Sequence, residues 1–153
     1  MSGLRAADGR ALKPQLEMVR GNAVVPAVSG IAAGYLLRQV ALEDRQSYTQ
    51  TFATAFDDSS PFGDLIKHTL TGGFFVVEHL PTGTFIAAST VAVCQKSQHP
   101  NGHSLQQASS HSDQHGTGAG WATVAAGTQV LADHAPGYSY LSTNDFRIPA
   151  INI

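Results

Sequence analysis

The chain has 153 residues, of which 42% are apolar and 13% are charged, and its formal net charge is −2 at pH 7. The length and composition predict one globular domain rather than a disordered segment, and the lack of a basic stretch argues against binding to nucleic acid. No apolar run reaches the about 18 residues of a transmembrane helix, so we expect no membrane association.

The first 33 residues precede the strongly patterned part of the sequence. Residues 1–33 combine basic side chains with a run of small apolar ones, and they predict a flexible N-terminal extension, with a targeting segment as the alternative. A cytoplasmic domain is then expected over residues 34–153. Residues 34–42 predict its first strand, and Glu43 and Asp44 supply the acids that favour the first turn of a helix.

Two helices are predicted after this strand. In the first, apolar side chains at helical spacing form one face: Tyr48, Phe52, Ala55 and Phe56. The second begins at Pro61 and ends at Gly72 and Gly73. Its apolar face is made of Phe62, Leu65, Ile66 and Leu70.

The next two segments predict an antiparallel hairpin. Residues 74–80 and residues 85–94 are both mostly apolar, and the short Pro-Thr-Gly-Thr sequence between them is typical of a turn. Because neither run alternates between polar and apolar residues, we expect the hairpin to be covered on both faces of the sheet. The single cysteine, Cys94, is expected to be a buried thiol.

The second half of the chain predicts a strand–helix–strand unit. Residues 105–110 predict a strand, and an amphipathic helix follows from about Trp121, which we expect to be a core residue. Residues 138–142 predict another strand, and Asn144 would cap a final helix. The order of elements predicts an α/β fold with a mixed sheet, antiparallel hairpins and one parallel β-α-β crossover.

A glycine-rich turn joins the strand to the helix of this unit. Gly116, Gly118 and Gly120 have no Cβ, so the backbone can turn tightly there and approach a ligand closely. The helix that follows offers N–H groups and the positive end of its dipole, which together suit a phosphate. A plain turn is the alternative interpretation.

The residues around the turn narrow the class of phosphate ligand. A Walker loop for ATP or GTP needs Gly-Lys-Ser/Thr, but Gly120 is followed by Trp121. A dinucleotide fingerprint needs a third glycine at a position that holds Trp121 or Thr123, depending on where the count starts. Neither nucleotide motif therefore fits.

Residues 111–120 (HSDQHGTGAG) resemble the pyrophosphate loop Q/R-x-x-G-x-G/A of the GNAT superfamily of acetyl-CoA-dependent N-acetyltransferases. Gly118 and Gly120 match the glycines of this motif, and Gly116 matches a common additional one. Residues 140–153 resemble the fifth strand and the start of the fourth helix of the family. The predicted order of elements fits the same fold.

The resemblance implies a site for acetyl-CoA between the fourth and fifth strands of the family fold. The pantetheine arm would bind to main-chain groups of Ala108, Ser109 and Ser110. The diphosphate would be held by main-chain N–H groups of His115, Gly116, Thr117, Gly118, Ala119 and Gly120. A backbone N–H near Ser110 would polarise the thioester carbonyl, and the amine of a small molecule would attack it directly.

The sequence departs from the family pattern at several positions. His115 stands where Gln or Arg is usual, Gln106 and Gln107 make the fourth strand polar, and Arg147 replaces an Asn that often contacts CoA. The tyrosine general acid and the closing strands of the family would lie beyond Ile153. We therefore expect an incomplete sheet with an exposed edge and marginal stability.

His111 is the catalytic candidate, as a base for the amine proton, and Glu78 on the hairpin is a second one. A surface histidine and a solvated carboxylate are the alternatives. His99, His103, His111 and His115 lie close in sequence, but their spacing is not that of a zinc site. We therefore expect solvated loop histidines and no metal.

Two other functions stay open at this point. One is a non-catalytic domain that binds acyl-CoA, and the other is a nucleotide-binding fragment of a different α/β fold. A homodimer is also considered.

Overall fold

A computed structural model of the chain describes residues 15–23, 27–28, 30–52, 62–93, 99–100, 102–110, 117–134 and 137–144. The elements are, in chain order, β1 (Gln15–Gly21), β2 (Tyr35–Gln39), a 3-10 turn (Leu42–Asp44), α1 (Arg45–Phe52), α2 (Phe62–His68), β3 (Thr69–His79), β4 (Thr84–Val93), β5 (His103–Ser110), α3 (Ala119–His134) and β6 (Tyr138–Asn144).

The six strands form one mixed sheet in the order β1-β6-β5-β4-β3-β2. Neighbouring strands are antiparallel except β5 and β6, which are parallel and are joined through α3. The structure therefore confirms the predicted mixed α/β sheet, the hairpin of β3 and β4, and the parallel β-α-β unit.

Strand β1 corrects the expected domain boundary. It pairs with β6 over its whole length, from Gln15 opposite Asn144 to Gly21 opposite Tyr138. These residues belong to the sheet, so the expectation that all of residues 1–33 form a flexible extension is wrong for them. Because β1 supplies hydrogen-bonding partners to β6, the edge strands of the described sheet are β1 and β2.

The core has two parts, one on each face of the sheet. Successive residues of β3 and β4 point to opposite faces, so Val76 and Phe85 pack with α1 and α2, whereas Val77 and Ile86 pack with α3. All of these side chains are buried. The structure confirms that the hairpin is covered on both faces, which explains why its sequence does not alternate.

The two glycines predicted to end the second helix have a different role in the structure. Helix α2 ends at His68, before Gly72 and Gly73, and both glycines lie inside β3. The register between β3 and β4 shifts between Thr69 and Phe74, and Gly72 has a φ of 73°. The glycines therefore mark a bulge in the strand rather than the end of a helix.

Arg38 connects β2, the 3-10 turn and β3. Its Nη1 and Nη2 donate hydrogen bonds to the Asp44 carboxylate at 2.7 and 2.9 Å, and its Nε donates to Glu78 at 2.9 Å. Its guanidinium lies 5.2 Å from the ring centroid of Phe85. Chiefly through the hydrogen bonds from Arg38, the pKa of Asp44 is lowered from its ordinary value.

His99 is buried, contrary to the expectation of a solvated loop histidine. Its side chain is 5% exposed, and its ring stacks on Tyr140 with centroids 4.1 Å apart. Its Nε2 donates to the carboxylate of Glu17, and its Nδ1 lies 3.3 Å from the Tyr138 hydroxyl. The ring therefore ties β1 to β6. His103, the first residue of β5, is also partly buried rather than solvated.

The bulge in β3 generates a stability prediction. A Cβ on Gly73 would collide with Val91 Cγ2 and would lie 3.0 Å from the Leu70 carbonyl oxygen. Gly73→Ala should therefore lower the free energy of unfolding by about 1–3 kcal/mol, measured by urea denaturation. Gly21→Ala is the control, because nothing lies within 4 Å of a Cβ there. Equal losses in the two variants would contradict the described packing of the bulge.

The ion pair of Arg38 and Asp44 generates a pH prediction. Because the folded state lowers the pKa of Asp44, the pair stabilises the fold above the ordinary value of 3.8 and loses this effect as the pH falls through the lower folded-state pKa. Asp44→Asn should lower the urea midpoint at neutral pH and weaken its fall between about pH 4 and about pH 2. Glu43→Gln, at an exposed neighbour, should keep the wild-type profile. An unchanged acid profile in Asp44→Asn would contradict this assignment.

Candidate functional site

Strands β5 and β6 pair near their beginnings, and the described residues show no pairing toward their carboxyl ends, the pattern of strands that part there. β5 pairs with β4 as far as Ser110, which lies opposite Ala87. Between β5 and β6, the described residues show one paired position, Ser104 opposite Tyr140, near the beginning of both strands. Any main-chain group on the facing edges that lacks a strand partner needs another one, because a backbone N–H or C=O is costly to leave unpaired.

The glycine turn leads directly into α3. Gly118 has a φ of 78°, a conformation that residues with a Cβ seldom adopt. Its carbonyl oxygen accepts the first helical hydrogen bond, from the N–H of Ala122 at 3.0 Å, and Thr117 Oγ1 accepts from the N–H of Ala119 at 3.4 Å. The N–H groups before Ala122 have no acceptor inside the helix, so this end of α3 suits an anion.

Helix α3 lies very close to β4 and β5. Ser89 Oγ on β4 donates to the Thr123 carbonyl oxygen of α3 at 2.9 Å. A Cβ on Gly127 would lie 3.0 Å from Val91 Cγ1 and 3.4 Å from Leu105 Cδ1. Gly127 therefore allows the helix to approach the sheet closely, which fixes the position of the glycine turn relative to the strands.

The glycine turn and the parting strands lie at the same end of the sheet. Ala119 and Ala122, in the first turn of α3, pack against Ile86 and Ala87 of β4. Ala87 is also the residue opposite Ser110 at the end of β5. A ligand that binds to the start of α3 can therefore extend into the gap between β5 and β6.

The structure brings together the predicted site residues that it describes. Thr117 and Gly118 form the turn, Ala119 and Gly120 begin α3, and residues 108–110 end β5. Their roles as ligands of acetyl-CoA stay predictions. Other predicted residues lie outside the described part of the chain: His111, His115, Gly116, Cys94, and Arg147 with the predicted last helix.

The titratable side chains of Glu78 and Tyr48 have structural partners. Glu78, the second candidate base, accepts a hydrogen bond from Arg38 Nε, and its carboxylate is thus engaged in an ion pair within the fold. Burial raises the pKa of Tyr48 to about 12, and its ring packs against Phe62 and Phe74. Both side chains therefore belong to the framework of the fold.

Trp121 is exposed, which corrects its predicted place in the core. It lies in the first turn of α3, and 40% of its surface is accessible. Phe74 of β3, by contrast, is buried. Because Trp121 is the single tryptophan of the chain, its fluorescence reports on the start of α3.

Residues before the predicted domain contact the glycine turn, and the sequence analysis missed them. The N–H of Ala32 donates to the Thr117 carbonyl oxygen at 3.2 Å, and a Cβ on Gly118 would collide with the carbonyl oxygen of Gly30. The sequence feature that could have indicated this packed segment is the apolar pair Val28 and Ile31, spaced by three within the run of small residues.

In the part of the chain that the structure describes, no three His, Cys, Asp or Glu side chains are grouped so that they could hold a metal ion. Among the same residues, no helix is long and apolar enough to cross a membrane.

The contact at Gly118 generates a prediction with a matched control. Gly118 and Gly83 both have positive φ, 78° and 68°, but a Cβ on Gly83 would lie 3.9 Å from its nearest neighbour, Glu78 Oε1. Both alanine variants should lose about 1–2 kcal/mol to backbone strain, and Gly118→Ala should lose at least about 1 kcal/mol more because of Gly30. Urea unfolding measures the difference in the free energy of unfolding. Equal losses in the two variants would show that Gly30 does not contact the turn closely.

No protein-family model matches the sequence, and no curated protein matches it either. The structure is nevertheless similar to solved acetyltransferases. A GCN5-related N-acetyltransferase from Sphaerobacter thermophilus gives a TM-score of 0.68 at 10% identity, over 87% of this chain and 44% of that one. A GNAT-family acetyltransferase from Colwellia psychrerythraea gives 0.61 at 17% identity, over 92% and 50%.

A further similarity involves a structure with a bound analogue. Naa50 from Arabidopsis thaliana, in complex with the bisubstrate analogue CoA-Ac-MVNAL, gives a TM-score of 0.61 at 11% identity, over 78% of this chain and 79% of that one. The chain spans about half the length of the two bacterial proteins. At these identities the similarity establishes the fold: the chain has the fold of the GNAT acetyltransferases, as its motifs predict.

Proposed function

We propose that the chain binds acetyl-CoA and transfers its acetyl group to the amine of a small molecule. The observation that carries the proposal is the position of the parting strands β5 and β6 beside the glycine turn of α3. The fold supports it, since similar structures are N-acetyltransferases and one of them was solved with a CoA-containing analogue.

Each half of the site suits a different part of coenzyme A. The pantetheine arm is extended and carries amides, which can pair with the main-chain groups of residues 108–110 as an added strand would. The diphosphate is doubly charged, and the N–H groups at the start of α3 offer it hydrogen bonds and the positive end of a helix dipole. The two halves lie at the same end of the sheet, as one continuous ligand requires.

The proposed reaction needs no nucleophile from the protein. Acetyl-CoA supplies a thioester that the amine attacks directly; a C–N bond forms, the C–S bond breaks and the amine proton leaves to a base. A backbone N–H near Ser110 would stabilise the negative charge on the carbonyl oxygen. His111 follows directly after β5 and is the proposed base, with a neutral imidazole as the reactive form.

Charge at Thr117 tests the diphosphate half of the site. A carboxylate at the start of α3 is favourable for the helix but repels phosphate, by about 1–4 kcal/mol at a separation of about 4 Å. Thr117→Asp should therefore bind CoA at least about tenfold more weakly than Thr117→Asn, which has nearly the same shape without the charge. Fluorescence of Trp121 during titration with CoA measures both dissociation constants.

Two controls accompany this comparison. The difference in CoA affinity between the two variants should shrink as salt is added, because screening weakens the repulsion. The two variants should have the same melting temperature. Equal affinities of Thr117→Asp and Thr117→Asn for CoA would contradict the proposed diphosphate site. Tighter binding of NAD or ATP than of CoA to the wild-type chain would indicate a nucleotide-binding fragment instead.

Turnover is tested separately from binding. The wild-type chain should release free CoA thiol from acetyl-CoA only when an amine is present, and a panel of small amines should reveal the acceptor class. Binding of CoA without amine-dependent release across the panel would contradict the transferase and favour a non-catalytic acyl-CoA-binding domain.

A further inference from the structure

Four residues before β2 contact the glycine turn, and we call Val28, Gly30, Ile31 and Ala32 the strap. The N–H of Ala32 donates to the carbonyl oxygen of Thr117 at 3.2 Å. The Gly30 carbonyl oxygen occupies the space that a side chain of Gly118 would need, and Gly30 itself has a φ of 79°. The strap thus holds the turn through two main-chain contacts.

The side chains of the strap are anchored in the core beneath the turn. Val28 and Ile31 pack against the buried cluster on the α3 face of the sheet, which includes Ala119 and Ala122 of α3. The strap therefore contacts the turn with its backbone, and its side chains pack on the cluster to which the first turn of α3 belongs. Both contacts fix the same few residues of the proposed diphosphate site.

The chain is also fixed on either side of the strap. Upstream, the N–H of Asn22 donates to the Gly137 carbonyl oxygen at 3.1 Å, and Ser139 Oγ donates to Asn22 Oδ1 at 3.0 Å. Downstream, the N–H of Leu80 donates to the Gly34 carbonyl oxygen at 2.9 Å.

Strands β1 and β2 form opposite edges of the sheet, roughly 24 Å apart at a strand spacing of about 4.8 Å. Of the chain between these two strands, Val28 and residues 30–32 lie beside the glycine turn or its cluster. The strap is thus a segment tied at both ends, and its position beside the turn is determined by the sheet.

We propose that the strap is a positioning element for the diphosphate of coenzyme A. It holds Thr117 and Gly118 so that the first N–H groups of α3 keep one fixed arrangement before the ligand arrives. Because these donors need no reordering on binding, the strap should strengthen the affinity for CoA and leave the chemical step unchanged. This inference rests on the proposed function.

A matched pair of variants separates positioning from general stability. Ile31→Ala and Ile66→Ala remove the same atoms from partly buried isoleucines, but Ile31 packs beside the start of α3 and Ile66 packs in the cluster on the other face. In Ile31→Ala, amide hydrogen exchange at residues 122–125, the first hydrogen-bonded amides of α3, should accelerate about tenfold, and the KM for acetyl-CoA should rise at least about fivefold. The kcat and the KM for the amine should stay unchanged.

Ile66→Ala is the control variant, and a second pair of variants provides the same comparison. Ile66→Ala should lose a comparable amount of thermal stability and keep both the exchange rates of residues 122–125 and the KM for acetyl-CoA within about twofold. If Ile31→Ala does not fold, Val28→Ala and Val40→Ala form the equivalent pair, since they pack against the same two clusters.

Two outcomes distinguish failure of the strap from failure of the proposed function. Equal exchange and equal KM in the two members of a pair would overturn the strap, even if the wild-type chain binds CoA well. Failure of the wild-type chain to bind CoA would overturn the proposed function and the role of the strap in binding, while the exchange comparison would still decide whether the strap fixes the turn.

Discussion

The close approach of the Gly30 carbonyl to Gly118 is the contact on which the proposed site depends. Gly118 has a φ of 78°, and the space beside its Cα is filled by another backbone, so two separate constraints exclude a side chain there. Glycine-rich turns at helix starts are usually explained by the ligand that approaches them. Here a segment of the same chain approaches Gly118, and the N–H groups at the start of α3 are the part of the turn left to a ligand.

This contact links the two edges of the sheet to the site between them. Strand β1 pairs with β6, and the buried ring of His99 joins Glu17 of β1 to the tyrosines of β6. From β1 the chain runs past the glycine turn to β2, where Arg38 fixes the opposite edge. The position of β6 beside β5 therefore depends in part on β1, which lies far from α3 in sequence.

The sequence predicts the elements whose signals are local. The hairpin of β3 and β4, α3 and the glycine turn follow from apolar patterns and from glycine spacing, and the structure places them as expected. Strand β1 is an edge strand whose conformation depends on β6, more than a hundred residues later, so local pattern does not reveal it. The same holds for the burial of His99 beside Glu17. The glycines of β3 suit a helix end or a bulge equally well, and only the register with β4 decides between them.

Backbone amide chemical shifts test the central claim most directly, because they separate the two halves of the site. CoA should shift the amides of residues 117–120 and of residues 108–110, whereas pantetheine, which lacks the diphosphate, should shift those of residues 108–110 alone. Shifts at residues 117–120 that pantetheine reproduces, or that CoA does not cause, would contradict a diphosphate site at the start of α3.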